Sequence, residues 1–400
     1  MNFFHTRNIP WRGLALIALL CYPVMASSHL PFGGGARYMS VLAAPICLML
    51  IAACPRSELL THARSALSWS LPFIPMVLGW LIARVWHGYD PIDLTPLSRL
   101  LLAALLFIGA RQLGVQHWQL GYAAAFGAIA CGLIASIEVF ALGRARAWGG
   151  VYENRFAQYS IWFAVLCMLH AIRFSKEGGR SIRLWLLIGA IPVALLGTLL
   201  TGSRGALLAL PISVIIAVTR SFSWRRALLF TLAGLALCTV FVLIYEPFRL
   251  RTFLAYQEFI AYFEESTFRG TSVGIRLELA RVALLSMSVD PWLGVGYQSL
   301  SALYAQYPQL LGLMPESLAS IPSFHSDWFH AIGIGGLMLM SALLLSVIWL
   351  FVVAKQDIYR TCFVICALVF SVSEMFFWHK MGLSLLISTW ALYSAAEESR

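Results

Sequence analysis

From Trp328 to Ala354 the chain reads WFHAIGIGGLMLMSALLLSVIWLFVVA, 27 residues without one Asp, Glu, Lys or Arg. A helix of that length is about 40 Å long, more than the roughly 30 Å of a bilayer's hydrocarbon core. In a bilayer every backbone N–H and C=O must be satisfied inside the protein, and a helix does this along its own length. The run is unbroken rather than alternating, so it predicts a spanning helix and not a barrel strand.

Working outward, similar runs predict helices near 11–27, 37–54, 67–86, 97–115, 119–142, 157–174, 182–201, 205–220, 226–245, 359–377 and 380–396. The fold class is therefore all-α, a polytopic transmembrane helix bundle of about 12 spans. Composition agrees, with 60% hydrophobic residues, 12% charged residues and a mean hydropathy of +0.80. A soluble domain needs far more polar surface. The first run follows Arg7 and Arg12 and ends near Ala26-Ser27-Ser28, as a signal peptide would. The many spans after it favour an uncleaved first helix.

The net charge of +10 sits mostly in short loops between apolar runs, where basic residues set topology and meet anionic headgroups. No soluble aromatic–basic stripe accompanies it, which argues against a nucleic-acid partner. With the N-terminus in the cytoplasm, 15 of the 28 basic residues fall in short inside segments, among them Arg173, Lys176, Arg220, Lys355 and Arg360. The outside loop 87–96 holds Asp90 and Asp93 and no Lys or Arg. This pattern works only with an even number of spans and puts both termini in the cytoplasm. The eight cysteines lie in or beside apolar runs, and read as small buried hydrophobes without disulfide or zinc spacing.

Three regions follow: spans in 1–245, an outer loop at 246–326, and further spans in 327–400. Within the loop, Ile275, Leu279, Val282 and Leu285 share one helical face, with Arg276, Glu278 and Arg281 elsewhere on the helix. Asp290-Pro291 and Gly294-Val295-Gly296 end that helix and turn the chain. A loop this long in a compact protein is usually functional.

Arginines depart from the inside rule. Arg84, Arg99, Arg144, Arg146, Arg155, Arg204, Arg249, Arg251, Arg269, Arg276 and Arg281 lie outside or near outer helix ends. A guanidinium grips phosphate through a planar fork of donors, so the set points to a polyanion site on the outer face. Individually each could snorkel to headgroups or pair with an internal Glu. Arg204 stands out in Thr201-Gly202-Ser203-Arg204-Gly205, a glycine-bracketed turn between two spans. The span after it is only about 21 Å long, which draws Arg204 down to headgroup level and demands an anionic partner. The backbone N–H groups opening that span add to an anion site.

His325 stands where the long loop re-enters the membrane, and an imidazole can take a proton from a hydroxyl near neutral pH. Asp327 is near enough in sequence to help orient it. His330 is five residues on rather than four, so the spacing does not build a metal site. Tyr256, Tyr262, Trp292, Tyr297, Tyr304 and Tyr307 could stack on sugars or form an interfacial belt. Glu138 and Glu374 are the few acids near spans. No nucleotide-binding motif occupies a cytoplasmic loop, which argues against a cytosolic nucleotide donor.

These residues resemble a known family. Thr201–Leu210 resembles the Ser-Arg-Gly helix opening of the O-antigen ligase and polymerase superfamily. Ile275–Tyr297 resembles its Arg-bearing loop helix with a Pro-x-x-Gly-x-Gly turn, and His325-Ser326-Asp327 with Gly333, Gly335 and Gly336 its histidine-led re-entry. Relatives often carry Asn where Ser326 stands.

The resemblance implies a metal-independent membrane glycosyltransferase of GT-C-like architecture, without a cofactor, in the bacterial inner membrane. Its site would face the periplasm. Its partners would be an undecaprenyl-diphosphate-linked glycan as donor, a lipid A-core acceptor, and membrane lipids. Carried over, Arg204 and Arg276 would hold the diphosphate, with Arg84, Arg146 and Arg155 as further candidates, and His325 would activate the acceptor hydroxyl. An O-antigen polymerase is the nearest alternative. An anionic-lipid transporter would need mid-membrane charges and paired broken helices.

Overall fold

The computed structural model describes residues 15–20, 45–52, 54–88, 95–150, 152–177, 182–225, 228–229, 232, 246–264, 271–296 and 324–398. Among them all regular structure is helical: α1 (Arg56–Ser70), α2 (Ile74–Trp86), α3 (Thr95–Leu113), α4 (His117–Ser136), α5 (Glu153–Lys176), α6 (Ile182–Thr201) and α7 (Ala209–Ser221). They continue as α8 (Glu246–Glu264), α9 (Ser272–Ser286), α10 (Asp327–Ala354), α11 (Ile358–Ser373) and α12 (Lys380–Glu398).

Among the described residues six helical segments are long and apolar enough to cross a membrane, from Arg56–Trp86 to Asp327–Ala354, and three shorter apolar helices accompany them. The chain is a multi-pass membrane protein. The spans expected near 11–27, 37–54 and 226–245 lie largely outside the described residues, although 15–20 and 45–52 are helical. Helix α1 starts eleven residues before the expected 67, because charged Arg56, Glu58 and Arg64 end an apolar run without ending a helix. The described cysteines are free, and all of them except half-buried Cys54 are buried.

The centre of the bundle is α5, whose side chains from Phe156 to Cys167 are all buried. It packs against α4, α6, α7 and α11. Small residues let α4 and α6 approach closely. A Cβ on Gly132 would come within 2.4 Å of the Val193 carbonyl oxygen, and one on Gly197 within 3.2 Å of the Cys131 carbonyl. Trp162 stacks on Phe363 at 5.3 Å, joining α5 to α11. Helix α12 lies against α3, with Trp390 and Tyr393 buried.

Helix α10 is interrupted inside its apolar run. Gly336 has φ 58° and ψ −152°, a conformation open to glycine and costly for other residues. The break frees backbone groups, which a membrane helix cannot leave unsatisfied. The turn after α9 supplies the partners. Val295 N–H donates to the Gly333 carbonyl at 2.9 Å and Gly296 N–H to the Ile334 carbonyl at 3.1 Å. In return Leu337 N–H donates to the Pro291 carbonyl at 2.9 Å and Met338 N–H to the Trp292 carbonyl at 3.1 Å. His87, at the end of α2, places Nε2 2.8 Å from the Leu293 carbonyl. The Pro291–Gly296 turn is therefore pinned into the bundle by main-chain bonds.

Helix α9 keeps part of its expected face. Leu279 and Val282 are fully buried, but Leu285 is 36% exposed and Glu278, expected away from the core, is buried completely. Its carboxylate accepts from Tyr262 Oη at 2.7 Å and from Arg281 Nε at 2.9 Å. A buried carboxylate stays only where such donors replace water.

Candidate functional site

His325 lies just before α10 with φ 52°, the sole described non-glycine residue in the left-handed region. Strain of this kind persists where the surroundings fix it, and it collects at functional sites. Two neighbours fix it here. Ser326 Oγ donates to the Ser371 carbonyl at 3.0 Å. Asp327, fully buried, accepts the backbone N–H groups of Phe376, Phe377 and Trp378 at 2.7, 2.9 and 3.1 Å. Asp327 therefore does not orient His325, as its nearness in sequence suggested. It clamps the segment between α11 and α12 against the start of α10.

That segment delivers the partner. Glu374, 5% exposed, places Oε1 3.2 Å from His325 Nδ1. Its other oxygen accepts from Asn154 Nδ2 at 2.9 Å. Burial pushes the Glu374 carboxyl up, but the bonds from His325 and Asn154 and the nearby charge of Arg155 outweigh it and hold it below its usual value. A carboxylate only accepts, so His325 must donate through Nδ1. In a neutral ring this leaves the Nε2 lone pair free to take a proton.

Beside this pair, Arg155 Nη1 lies 2.8 Å from His379 Nε2, and the guanidinium sits 5.4 Å from the Tyr152 ring centroid. Arginine can only donate, so His379 accepts through Nε2. Residues 154 and 155 thus bring α5 to both ends of the Glu374–His379 segment.

The Ser203–Gly205 turn reaches the same place. A Cβ on Gly205 would come within 2.7 Å of Ser373 Oγ, one residue before Glu374. Half-buried Arg204 stands between Ser203 and Gly205, in the turn leading into the short α7 segment. Ala147 N–H donates to the Leu200 carbonyl at 3.0 Å, tying the 142–150 loop to this end of α6.

The other expected arginines divide. Arg84 lies over the Trp80 ring at 4.8 Å and lines a small cavity with His330 and Trp378. Arg146 is exposed, and among the described residues nothing hydrogen-bonds it. Arg276 donates back to its own helix, to the Ser272 carbonyl at 3.0 Å and Ser272 Oγ at 2.9 Å; no described contact joins it to His325 or Arg204. Arg144 pairs with Glu138 at 2.8 Å and Arg281 with Glu278, so both have internal counter-charges. Arg269, Tyr297, Tyr304 and Tyr307 lie outside the described residues.

Sequence reasoning singled out His325 and Arg204 and missed Asn154, His379 and the role of Glu374. Glu374 carried a signal, an acid at a span's end in a chain with 18 acidic residues. Three donor atoms of Cys54, Glu58 and His62 lie within 4.8 Å of one another and could hold a metal ion. They sit at the start of α1, at the far end of the α1–α2 pair from His87.

Residues 189–344 match the family model described as O-antigen ligase. An uncharacterized protein of Haemophilus influenzae is 22% identical over 293 residues, covering 70% of this chain and 72% of that one. The matched segment holds Arg204, Arg276, His325 and the α10 break, while Asn154, Arg155 and Glu374 lie outside it.

Proposed function

We propose, for a chain whose residues 189–344 form an O-antigen ligase family domain, that it transfers an undecaprenyl-diphosphate-linked glycan onto lipid A-core in lipopolysaccharide synthesis. The reading places about a dozen spans in a GT-C-like inner-membrane bundle, both termini in the cytoplasm and the His325 end towards the periplasm. His325 Nε2 takes the proton of the acceptor hydroxyl. The new glycosidic C–O bond forms as the C–O bond to phosphate breaks, and that electron pair leaves on the diphosphate.

Arg204 and Arg276 hold the diphosphate and stabilise the charge gathering on it, with Arg155, Arg84 and Arg146 as further donors. For Arg276 this requires release from Ser272. Fixed guanidinium groups in a dry site supply what a metal would otherwise supply, so the proposed reaction is metal-independent.

The observation that carries the reading is the His325–Glu374 pair, with Asn154, Arg155 and the Ser203–Gly205 turn around one short segment. The test is complementation of a ligase-deficient strain with His325→Ala, Arg204→Ala and Arg276→Ala proteins that reach the membrane. Glycan should remain on its lipid carrier and core should stay bare, whereas normal lipopolysaccharide ladders from all three would end the proposal. A second lipid-linked glycan as acceptor would make the same geometry a polymerase. Loss of that activity would leave core bearing a single repeat.

A further inference from the structure

At the opposite end of the bundle lies a cavity of about 560 Å³. Its wall includes His117 at the start of α4, Arg173 and Lys176 at the end of α5, Arg220 in the last turn of α7, and Lys355 and Asp357 between α10 and α11. Helix α5 has 24 residues, so about 36 Å separates this end from Asn154 and Arg155. The catalytic proposal uses none of these residues.

In the cavity wall the cationic side chains Arg173, Lys176, Arg220 and Lys355 face one carboxylate, Asp357. Asp357 is already engaged: its carboxylate accepts from Arg360 Nε at 2.8 Å and from Tyr359 N–H at 2.8 Å, closing the first turn of α11. Arg173 pairs with Glu177 at 3.1 Å on the rim. Among the described residues Arg220 donates only to a neutral hydroxyl, Thr361 Oγ1, at 2.9 Å. Lys176 and Lys355 are exposed and have no carboxylate within salt-bridge reach among the described residues. His117 is 8% exposed, and neither ring nitrogen has a hydrogen-bond partner among the described residues. Among the described residues, two lysines and an arginine thus converge with no carboxylate paired to them around a volume suited to a small ligand.

We propose that this cavity binds a phosphate-bearing anion. Arg220, keeping four of its five N–H donors beyond the Thr361 bond, offers a fork for two phosphate oxygens, and the lysines offer point charges at the mouth. The ligand is either the headgroup of an anionic lipid entering from the interface or a free phosphate entering from water; the chemistry recognised is the same.

The test uses the full chain in neutral detergent. Wild type, Lys176→Gln/Lys355→Gln and Arg220→Gln proteins are titrated with dioleoylphosphatidylglycerol by native mass spectrometry and with inorganic phosphate by calorimetry. Arg183→Gln, which removes a charge from the same end but outside the cavity, controls for general electrostatics. The lysine pair is exposed, so that variant should fold even if Arg220→Gln does not. Expected is at least tenfold weaker binding in the lysine variant but not in Arg183→Gln. A response to the lipid alone identifies a headgroup site, and a response to phosphate identifies a free-anion site. No saturable binding of either probe, or equal loss in Arg183→Gln, overturns the proposal. Binding is read without glycan transfer, so failure here leaves the His325 reading intact, and the reverse holds.

Discussion

Glu374 Oε1 lies 3.2 Å from His325 Nδ1, across 49 residues of sequence, with the carboxylate buried and the imidazole partly open. A carboxylate there holds the Nδ1 proton in place and stabilises the imidazolium that forms when Nε2 takes the acceptor's proton in the proposed transfer. Replacing Glu374 by Gln removes the charge and keeps an acceptor. In a transfer assay the maximal rate of Glu374→Gln should fall by about 10- to 100-fold. An unchanged rate in a protein that reaches the membrane would show that Glu374 only supports the backbone.

The same carboxylate links stability to pH. Its folded-state value is held below the ordinary 4.5, so its contribution is present above the unfolded value and is lost as pH falls through the folded one. The melting-temperature advantage of wild type over Glu374→Gln should therefore be constant near neutrality and shrink below about pH 4.5. A scanning measurement from pH 7 to pH 3 checks it.

Gly205 has helical dihedrals, so alanine there is unwelcome only because its Cβ would meet Ser373. Gly205→Ala should lower activity by displacing the turn that carries Arg204. Adding Ser373→Gly removes both clashing atoms and should restore much of it, a coupling that a double-mutant cycle measures.

Gly294 meets two obstacles to alanine. Its φ is 66°, and a Cβ would fall within 2.7 Å of Gly336 N and 2.8 Å of the Gly333 carbonyl oxygen. Backbone cannot step aside as a side-chain tip can. Gly294→Ala should unpin the loop from α10, costing about 2–4 kcal/mol and exposing the Pro291–Gly296 turn to protease. Limited proteolysis of the purified protein reads this directly.

Asp327→Ala would leave three backbone donors without their acceptor, and each buried unmet donor costs about 1–3 kcal/mol. Membrane-inserted yield should drop sharply. Asp327→Asn keeps one carbonyl oxygen and should lose less, although both variants should loosen Glu374 and slow transfer.

The sequence by itself determined the helical, membrane-spanning character of the chain. Long uncharged runs such as Trp328–Ala354 have one economical arrangement in lipid, and it is a local one. It also marked His325 and Arg204, since a histidine at a span's start and an arginine in a glycine turn are rare enough to notice. What only the tertiary structure decided is which groups meet. Asp327, two residues from His325, turned out to hold backbone, while Glu374, 49 residues away, holds the imidazole. The glycines of α10 and of the Pro291–Gly296 turn read separately as turn formers, yet each completes the other's hydrogen bonds. Helix periodicity fixes which residues share a face, but pairings between faces depend on packing across the whole bundle, and no local pattern encodes them.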